Sequence, residues 1–232
     1  PRAGGGFMQI TMGMDSSGPT LLVCASDGEK TWSLHHTGIK QEQFLLPLVE
    51  KLLGKGGAEL KDVKKIFIVR GPGRFTGIRI SLTFASMLQS LNKTEVCGAT
   101  LFEIIRRQVE ASRVFEGWKK ENPSGVLAVV LHAFREEYFL QFFDEKDEGP
   151  VWLSKEQLLE RLAQRTEPLY CAGTDKGGVS LVELLGDKYR LAPMADSHVR
   201  PQTLLEMSAD SAYKKDALEP LYLKPARFEL GR

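Results

Sequence analysis

The sequence predicts an α/β protein made of two copies of one structural unit. The main observation is the order of the predicted elements, because each half of the chain reads as three strands, a helix, a strand and a helix. A second observation is the stretch Phe115–Gly125, where Gly117, Pro123 and Gly125 interrupt the pattern between the two halves. The residues themselves show no repeat, so the duplication is visible only in the order of the elements.

In the first half, short apolar runs separated by turn residues predict strands, and apolar residues at helical spacing predict helices between them. The predicted elements are strands at Gln9–Met14, Thr20–Ala25 and Lys30–His35, a helix from about Lys40 to Leu53, a strand at Ile66–Val69, a helix from about Thr76 to Leu91, a strand at Val96–Ala99 and a helix from about Thr100 to Ser112.

The second half repeats this order, with the charged turn 134–137 between its first two strands and Ser154 as the predicted cap of its first helix. The predicted elements are strands at Val126–His132, Tyr138–Phe143 and Pro150–Leu153, a helix from Ser154 to about Ala163, a strand at Leu169–Ala172, helices at Val179–Leu185 and Thr203–Lys214, and an extended tail at Pro220–Arg227.

The interruption between the halves divides the chain into two predicted lobes. We expect an N-terminal lobe at 8–114, a linker at 115–125 and a C-terminal lobe with its tail at 126–232. Residues 1–7 lack the apolar core of a signal peptide. We interpret them as a leader or a cloning remnant, with Met8 a plausible natural start.

Composition predicts a soluble globular protein without a strong electrostatic preference for its partners. Hydrophobic residues make up 42% of the chain and charged residues 26%, and the formal net charge is +1. Such a balance gives no broad attraction to nucleic acid or to an anionic membrane. The three cysteines, Cys24, Cys97 and Cys171, lie in apolar runs without a C-x-x-C pair. We interpret them as buried free thiols in a reducing compartment, the cytoplasm.

The most informative segment is the glycine-rich loop after the fourth predicted strand. A buried strand, a glycine turn and a helix form the usual architecture of a phosphate site. The spacing nevertheless fits neither the P-loop nor the dinucleotide-binding pattern. Close packing of a tight strand-to-helix turn is therefore favoured, and anion binding stays the alternative. The loop consists of Arg70, Gly71, Pro72, Gly73, Arg74, Phe75, Thr76 and Gly77.

The helix after this loop is apolar on two sides and uncharged between Arg79 and Lys93. One side carries Ile78, Leu82 and Ala85, and the other carries Ile80, Phe84, Met87 and Leu91. A surface helix normally keeps one charged face. The pattern leaves two interpretations open: the helix lies within the core, or it covers a subunit interface. The preceding helix, with Phe44, Leu48 and Leu52, would extend the same surface.

At this point the sequence resembles the TsaB (YeaZ) family. The run 70–80, R-G-P-G-R-F-T-G-I-R-I, is similar to the family signature G-P-G-S-F-T-G-x-R-x-G, and Arg79 matches its arginine. Met14–Ser17 resembles the family's first strand, which ends in D-T-[SA]. Leu46–Leu48 matches its L-P-x, and Pro220–Lys224 resembles its closing P-x-Y-L-R.

The resemblance implies an actin-like or Hsp70-like ATPase fold of two ribonuclease-H-like lobes. It also implies a non-catalytic subunit that pairs with TsaD in the threonylcarbamoylation of the tRNA adenosine next to the anticodon. ATP or ADP and the metal are then expected on TsaD, TsaE joins the complex, and tRNA is reached indirectly. Without its partner the chain is expected to form a homodimer. The expected partner interface comprises Phe44, Leu48, Leu52, Ile80, Phe84, Met87 and Leu91.

Two segments depart from the family pattern. Gln41 and Glu42 stand where the family often has His-Ser or His-Thr before the first helix. In the second lobe the family often has D-A-R-x-x-E-V-Y, whereas here His132 replaces the Asp and Phe134 replaces the Arg. These changes weaken the case for a polar pocket in the second lobe.

An actin-fold ATPase or kinase that acts alone is the alternative function. Asp15 lies at the end of the first strand, where such enzymes place a phosphate loop. Together with Ser16 and Ser17 it would form a vestigial nucleotide site, and weak nucleotide binding stays open. The other interpretation of Asp15 is a turn residue whose carboxylate binds nearby backbone amides.

Other chemistries find less support. His35, His36, His132 and His198 offer no pair at the helical spacing that a zinc protease needs. No G-x-S-x-G elbow is present. Direct RNA contact would need basic clusters, for which solvated surface charge is the favoured interpretation. The candidates are Arg70, Arg74, Arg79, Arg106, Arg107, Arg113, Lys119 and Lys120.

Overall fold

The computed structural model describes residues 8–146 and 148–224 of the 232-residue chain. Its strands are β1 (Ile10–Asp15), β2 (Thr20–Ser26), β3 (Thr31–Thr37), β4 (Val63–Val69), β5 (Glu95–Ala99), β6 (Val126–Phe134), β7 (Glu137–Phe143), β8 (Val151–Ser154), β9 (Leu169–Thr174) and β10 (Arg190–Leu191). Its helices are α1 (Gln41–Lys55), α2 (Phe75–Asn92), α3 (Leu101–Glu110), α4 (Arg113–Glu121), α5 (Lys155–Ala163), α6 (Val182–Leu185), α7 (Met194–Ser197) and α8 (Pro201–Met207).

The chain divides into two compact units. Of the described residues, the first unit contains residues 8–101 and Arg200–Leu221, and the second contains residues 102–146, 148–199 and 222–224. The predicted linker does not coincide with this division, since most of it forms α4. Residues 1–7, which we interpret as a leader, and residues 225–227 of the predicted tail lie outside the described part of the chain.

Each unit contains a five-stranded sheet with the same topology. The strand order is β3-β2-β1-β4-β5 in the first sheet and β8-β7-β6-β9-β10 in the second, written in the matching direction. In both sheets the first three strands run antiparallel and the remaining two run parallel to the central strand. The two copies of one α/β unit predicted from the order of elements are thereby confirmed.

The sheet of the first unit is covered on both faces. On one face α1 and α2 bury an apolar core that includes Met12, Val49, Ile66 and Phe84. On the other face α8 packs against β1, β2 and β4. A strand buried on both faces needs apolar residues in succession, and the run 66–69 of β4 is fully buried.

The segment after α8 also belongs to the first unit. It forms a 3₁₀ turn at Ser211–Lys214, where Tyr213 packs edge-on against Phe67 with ring centroids 5.8 Å apart. The predicted helix Thr203–Lys214 is therefore wrong in its second half. The helix ends at Met207, and the Asp210 carboxylate accepts a bond from the amide of Ala212 at 2.9 Å, which starts a new turn.

The second unit buries its core between its sheet and α5 and α6. The core includes Val130, Leu140, Leu158 and Leu184. The Ser154 cap of α5 is confirmed, because the amide of Gln157 donates to the Ser154 hydroxyl and the Gln157 side chain accepts from the amide of Ser154.

The stretch predicted as an interruption contains a helix that the sequence pattern did not reveal. Gly117 lies within α4, and Phe115 and Trp118 of the same helix pack around Tyr170 of β9. Gly125 follows the helix, where an added Cβ would lie 2.3 Å from the Trp118 ring. Glycine at 125 therefore reflects close packing and not a flexible linker.

The cysteines agree with the sequence-based expectation. Cys24, Cys97 and Cys171 are free and buried. Burial raises the pKa of Cys24 and of Cys171 to about 12, so both thiols stay protonated. Among the helices of the described residues, none combines the length and the apolar composition that crossing a bilayer requires.

The core position of Phe84 leads to a stability prediction. Phe84 is 4% exposed, whereas Met87, one turn further along α2, is 36% exposed. Phe84→Ala should lower the free energy of unfolding by about 3–5 kcal/mol, because it leaves a cavity in the core. Met87→Ala should lower it by about 1 kcal/mol or less. Urea denaturation followed by circular dichroism measures both, and equal losses would contradict the assignment.

Candidate functional site

The glycine-rich loop is held between a strand end and the returning C-terminal segment. The amide of Arg70 donates to the carbonyl of Ala99 at 3.0 Å, and the amide of Leu101 donates to the carbonyl of Gly71 at 2.7 Å. From the other side, the amide of Leu221 donates to the carbonyl of Arg70 at 2.7 Å. The loop therefore has little freedom to close over a ligand.

Two glycines of this loop lie against the backbone of the first turn, after β1. A Cβ at Gly73 would lie 2.4 Å from the carbonyl oxygen of Ser17, and a Cβ at Gly77 would lie 1.8 Å from that of Ser16. Neither distance leaves room for a side chain. The amide of Arg74 also donates to the carbonyl of Ser17 at 2.7 Å. Close backbone approach explains both glycines.

A third glycine needs both its backbone conformation and its lack of a side chain. Gly71 has a φ of +113°, which disfavours any other residue, and an added Cβ would lie 2.6 Å from the carbonyl oxygen of Leu221. The predicted loop motif is thus a contact between the loop, the first turn and the C-terminal segment.

The first turn itself uses its polar groups internally. The amide and the hydroxyl of Ser17 donate to Oδ1 of Asp15 at 2.8 and 2.7 Å. Burial raises the pKa of Asp15, and the two bonds from Ser17 partly offset that rise. Ser16 is fully buried, and its hydroxyl donates to the carbonyl of Gly77 at 2.6 Å and contacts the Ser81 hydroxyl. This geometry favours the turn interpretation of Asp15, Ser16 and Ser17 over the nucleotide-site interpretation.

The predicted interface residues of α1 and α2 do not all reach the surface. Phe44 is 41% exposed, Met87 36% and Leu91 73%, whereas Leu48 and Ile80 are partly buried. We call these five residues the helical patch. Leu52 and Phe84 are buried at 0% and 4% exposure within the core below α1 and α2. The expectation that Leu52 and Phe84 lie at the partner interface is therefore wrong. A helix that is apolar on two sides places one of those sides in the core, and these two residues belong to the core side.

The outer surface of α2 is neutral over three turns. Thr83, Ser86 and Ser90 lie beside Met87 and line a shallow, open groove with Leu82 and Leu218. No charged residue occurs between Arg79 and Lys93. A solvent-facing helix usually carries charges, so this surface has the composition of an interface. The sequence pattern missed Leu218, because its position depends on the return of the C-terminal segment.

The N-terminal end of α2 adds an aromatic residue and a cation. Phe75 is 52% exposed, and the guanidinium of Arg79 lies over its ring at 4.2 Å. Arg74 and Thr76 are also exposed. Of the loop motif, Gly71, Pro72 and Gly77 are buried, so residues 73–76 and 79 form its accessible part.

The two departures from the family pattern are accommodated within the chain. The Gln41 side chain is buried and donates to the carbonyl of Gly18 at 3.0 Å, while Glu42 is exposed. Nε2 of His132 lies 2.8 Å from the carbonyl oxygen of Arg135. Phe134, at the tip of the same hairpin, is 52% exposed.

Several candidate RNA-binding residues have partners inside the protein. Arg106 pairs with Glu110 at 2.7 Å and Lys120 with Glu116 at 2.6 Å. Lys119 donates to the carbonyl of Gly125 at 2.5 Å. These contacts favour the interpretation as ordinary surface charge for those residues.

Comparison with known proteins finds similarity to proteins of tRNA threonylcarbamoyladenosine biosynthesis. The profile of the family described as TsaD, tRNA N6-adenosine threonylcarbamoyltransferase, matches residues 38–127. The Escherichia coli protein described as tRNA threonylcarbamoyladenosine biosynthesis protein TsaB is 26% identical over 78% of this chain and 80% of its own length. The Bacillus subtilis protein of the same description is 22% identical over 94% of this chain and 95% of its own.

Solved structures support the fold. YeaZ from Pseudomonas aeruginosa superposes with a TM-score of 0.64 at 22% identity, covering 93% of this chain and all of the other. A second structure, of a Pseudomonas aeruginosa protein with similarity to peptidase YeaZ, gives a TM-score of 0.66 at 21% identity, over 94% of this chain and all of the other. The actin-like α/β fold with two ribonuclease-H-like lobes, predicted from the sequence, is confirmed.

The glycine contacts lead to a paired prediction. Gly77 and Gly117 both lie within helices, where alanine is intrinsically preferred by about 1 kcal/mol. Gly117→Ala should raise the free energy of unfolding by about 0.5–1 kcal/mol, because nothing lies within 4 Å of its added Cβ. Gly77→Ala should lower it by about 3 kcal/mol, because the Cβ displaces the first turn. Urea denaturation gives both values, and stabilisation by both would contradict the contact.

Proposed function

We propose that this chain, which belongs to the TsaB (YeaZ) family, is a non-catalytic subunit in the biosynthesis of threonylcarbamoyladenosine in tRNA. Its partner would be a TsaD-type protein, and the helical patch would bind it. The observation that carries the proposal is the neutral, partly apolar outer surface of α2, with Met87 and Leu91 exposed. A monomer in water would gain nothing from such a surface.

The family profile supports the choice of partner. The match to the TsaD family covers residues 38–127, a segment that contains both α1 and α2. Two related proteins that present similar helices can pair about an approximate two-fold axis, as two copies of one chain do. The same patch would then serve in a homodimer when the partner is absent.

The interior of the first unit supports a role without catalysis. Phosphate binding at a glycine loop depends on backbone amides that point at the ligand. Here the amide of Arg74 is bonded to Ser17, the amide of Ser17 is bonded to Asp15, and Gly77 lies against Ser16. We infer that the loop shapes the start of α2, and that nucleotide and metal chemistry belongs to the partner.

The expected consequence is structural support of the partner. A stable interface of this kind buries on the order of 1,600 Å² in total. Docking on α1 and α2 would hold the partner's catalytic elements in place and leave TsaE a composite surface. The reducing cytoplasm fits the three buried free thiols.

A cellular experiment tests the pathway. Cells depleted of this chain should lose threonylcarbamoyladenosine from digested tRNA, as measured by mass spectrometry of the nucleosides. Re-expression of the unchanged chain should restore the modification, and the double variant Met87→Asp with Leu91→Asp should not. Unchanged modification after depletion would contradict the proposed pathway.

A binding experiment tests the surface. Met87→Asp with Leu91→Asp should weaken binding to the TsaD-type protein of the same organism by about 100-fold or more, because two carboxylates would be buried without partners. Val182→Asp is the matched control, since Val182 is 52% exposed on α6, outside the patch. Isothermal titration calorimetry measures the affinities, and circular dichroism checks folding. Equal affinity of both variants would place the interface elsewhere.

A further inference from the structure

The first sheet ends in the edge strand β3, which has seven residues. β3 pairs with β2 in an unbroken antiparallel register from Thr20↔Thr37 to Ser26↔Thr31. Within the described residues no other strand lies beside it. A free edge exposes a row of unpaired backbone groups, which can pair with another chain.

The hydrogen bonds at its two ends show which backbone groups face outward. The amide of Gly38 donates to the carbonyl of Pro19, and the amide of Asp27 donates to the carbonyl of Lys30, both in the β2–β3 register. In an antiparallel ladder, alternate residues bond to the same neighbour. Residues with even numbers therefore bond to β2, and the amides and carbonyls of Thr31, Ser33, His35 and Thr37 face the open edge.

The other sheet edges of the described residues are protected, and β3 is not. β8, its counterpart in the second unit, has four residues and follows Pro150. β10 has two residues. β5 has five residues and carries Glu95, whose carboxylate pairs with Lys65 and Lys214, and charged side chains disfavour pairing at an edge. β3 has seven residues, T-W-S-L-H-H-T, without proline, lysine, a carboxylate or a bulge.

We propose that β3 pairs antiparallel with β3 of a second copy of this chain, about a two-fold axis at Leu34. In this register Thr31 lies opposite Thr37, Trp32 opposite His36, Ser33 opposite His35, and Leu34 opposite Leu34. The outward-facing residues meet each other, so each of these pairs can exchange two backbone hydrogen bonds. The register uses all seven residues of the strand. The first sheet of one copy and the first sheet of the other would then form one continuous sheet.

The side chains fit this pairing on both faces. Trp32, Leu34 and His36 are partly buried on the face that α1 covers, and the His36 ring stacks on Phe44 with centroids 3.7 Å apart. Pairing would place Trp32 against His36 of the other copy, a favourable aromatic cross-strand pair. On the opposite face, exposed Ser33 and His35 meet without like charges.

The ends of the strand allow the same pairing to extend by one residue. Lys30 and Gly38 still lie in the β2–β3 register, so Lys30 of one copy would lie opposite Gly38 of the other and not opposite a like charge. Beyond these residues the chain leaves the sheet, because the Asp27 carboxylate closes the turn before Lys30 and α1 begins at Gln41.

This surface is separate from the partner surface of α2 and does not rest on the proposed function. β3 and β5 are opposite edges of the sheet, and α2 packs over β4 and β5. A homodimer through β3 and one through the helical patch would therefore respond to different substitutions, and this difference allows the two to be distinguished.

A charge-reversal experiment tests the pairing in the full-length chain. Ser33→Lys with His35→Lys places lysine opposite lysine twice in the dimer, whereas Ser33→Lys with His35→Glu places lysine opposite glutamate. Both variants and a reference chain also carry Met87→Asp and Leu91→Asp, which removes pairing through the helical patch. Sedimentation equilibrium should show dimerisation of the reference chain, at least about 10-fold weaker dimerisation of the lysine–lysine variant, and recovery in the lysine–glutamate variant. Both positions are exposed, and thermal denaturation checks that both variants fold.

A cross-linking experiment tests the register. Leu34→Cys should form a disulfide between copies under mild oxidation, because non-hydrogen-bonded pairs bring Cα atoms to about 4.5 Å, within disulfide range. Ser33→Cys is the matched control and should cross-link far less, since it lies opposite His35. The natural cysteines are buried and give little background.

Three outcomes would overturn the proposal. The chain could stay monomeric at all accessible concentrations. The lysine–lysine and lysine–glutamate variants could dimerise equally. The unchanged chain could also dimerise while the reference chain with Met87→Asp and Leu91→Asp stays monomeric, which would assign self-association to the helical patch alone.

Discussion

The contact between the glycine loop and the first turn determines the geometry of the first unit. Gly77, in the first turn of α2, lies directly against the backbone of Ser16, at a distance that no side chain tolerates. Because β1 and β4 are neighbouring parallel strands, this contact joins their two ends and fixes the direction in which α2 leaves the sheet. The rotation of α2 then decides that Phe84 packs inward and that Met87 faces outward. A buried backbone contact at the start of α2 therefore determines which of its later residues face outward.

The same contact separates this loop from phosphate loops of similar appearance. A phosphate loop leaves its amides free for the ligand. Here the amide of Ser17 donates to Asp15, the amide of Arg74 donates to the carbonyl of Ser17, and the Ser16 hydroxyl donates to the carbonyl of Gly77. The carboxylate of Asp15 is occupied in the same way. Glycine content alone could not distinguish the two arrangements, because glycine allows both ligand approach and backbone packing.

Most of the fold followed from the sequence, since the elements of the first unit have clear apolar periodicity. The strands β1 to β5 and the helices α1 and α2 lie within about three residues of their predicted limits. Helix α4 was missed because Gly117 and its many charged residues weaken the helical pattern. The return of Arg200–Leu221 to the first unit was missed because it is a long-range contact that no local pattern encodes. Leu52 and Phe84 were expected at an interface, since periodicity identifies an apolar face but not what covers it.

The two surfaces of the first unit differ in the forces that would hold a partner. The helical patch offers a partner only side chains, so the specificity of binding there depends on shape and on the absence of charge. The edge of β3 offers backbone groups that any extended chain could satisfy, so its specificity must come from the side chains on either face. Register is fixed where those side chains are distinctive, and Trp32, Leu34 and His36 alternate with small polar residues along the strand. Because only one register about a two-fold axis places every outward residue of β3 opposite another, a second copy satisfies the whole edge.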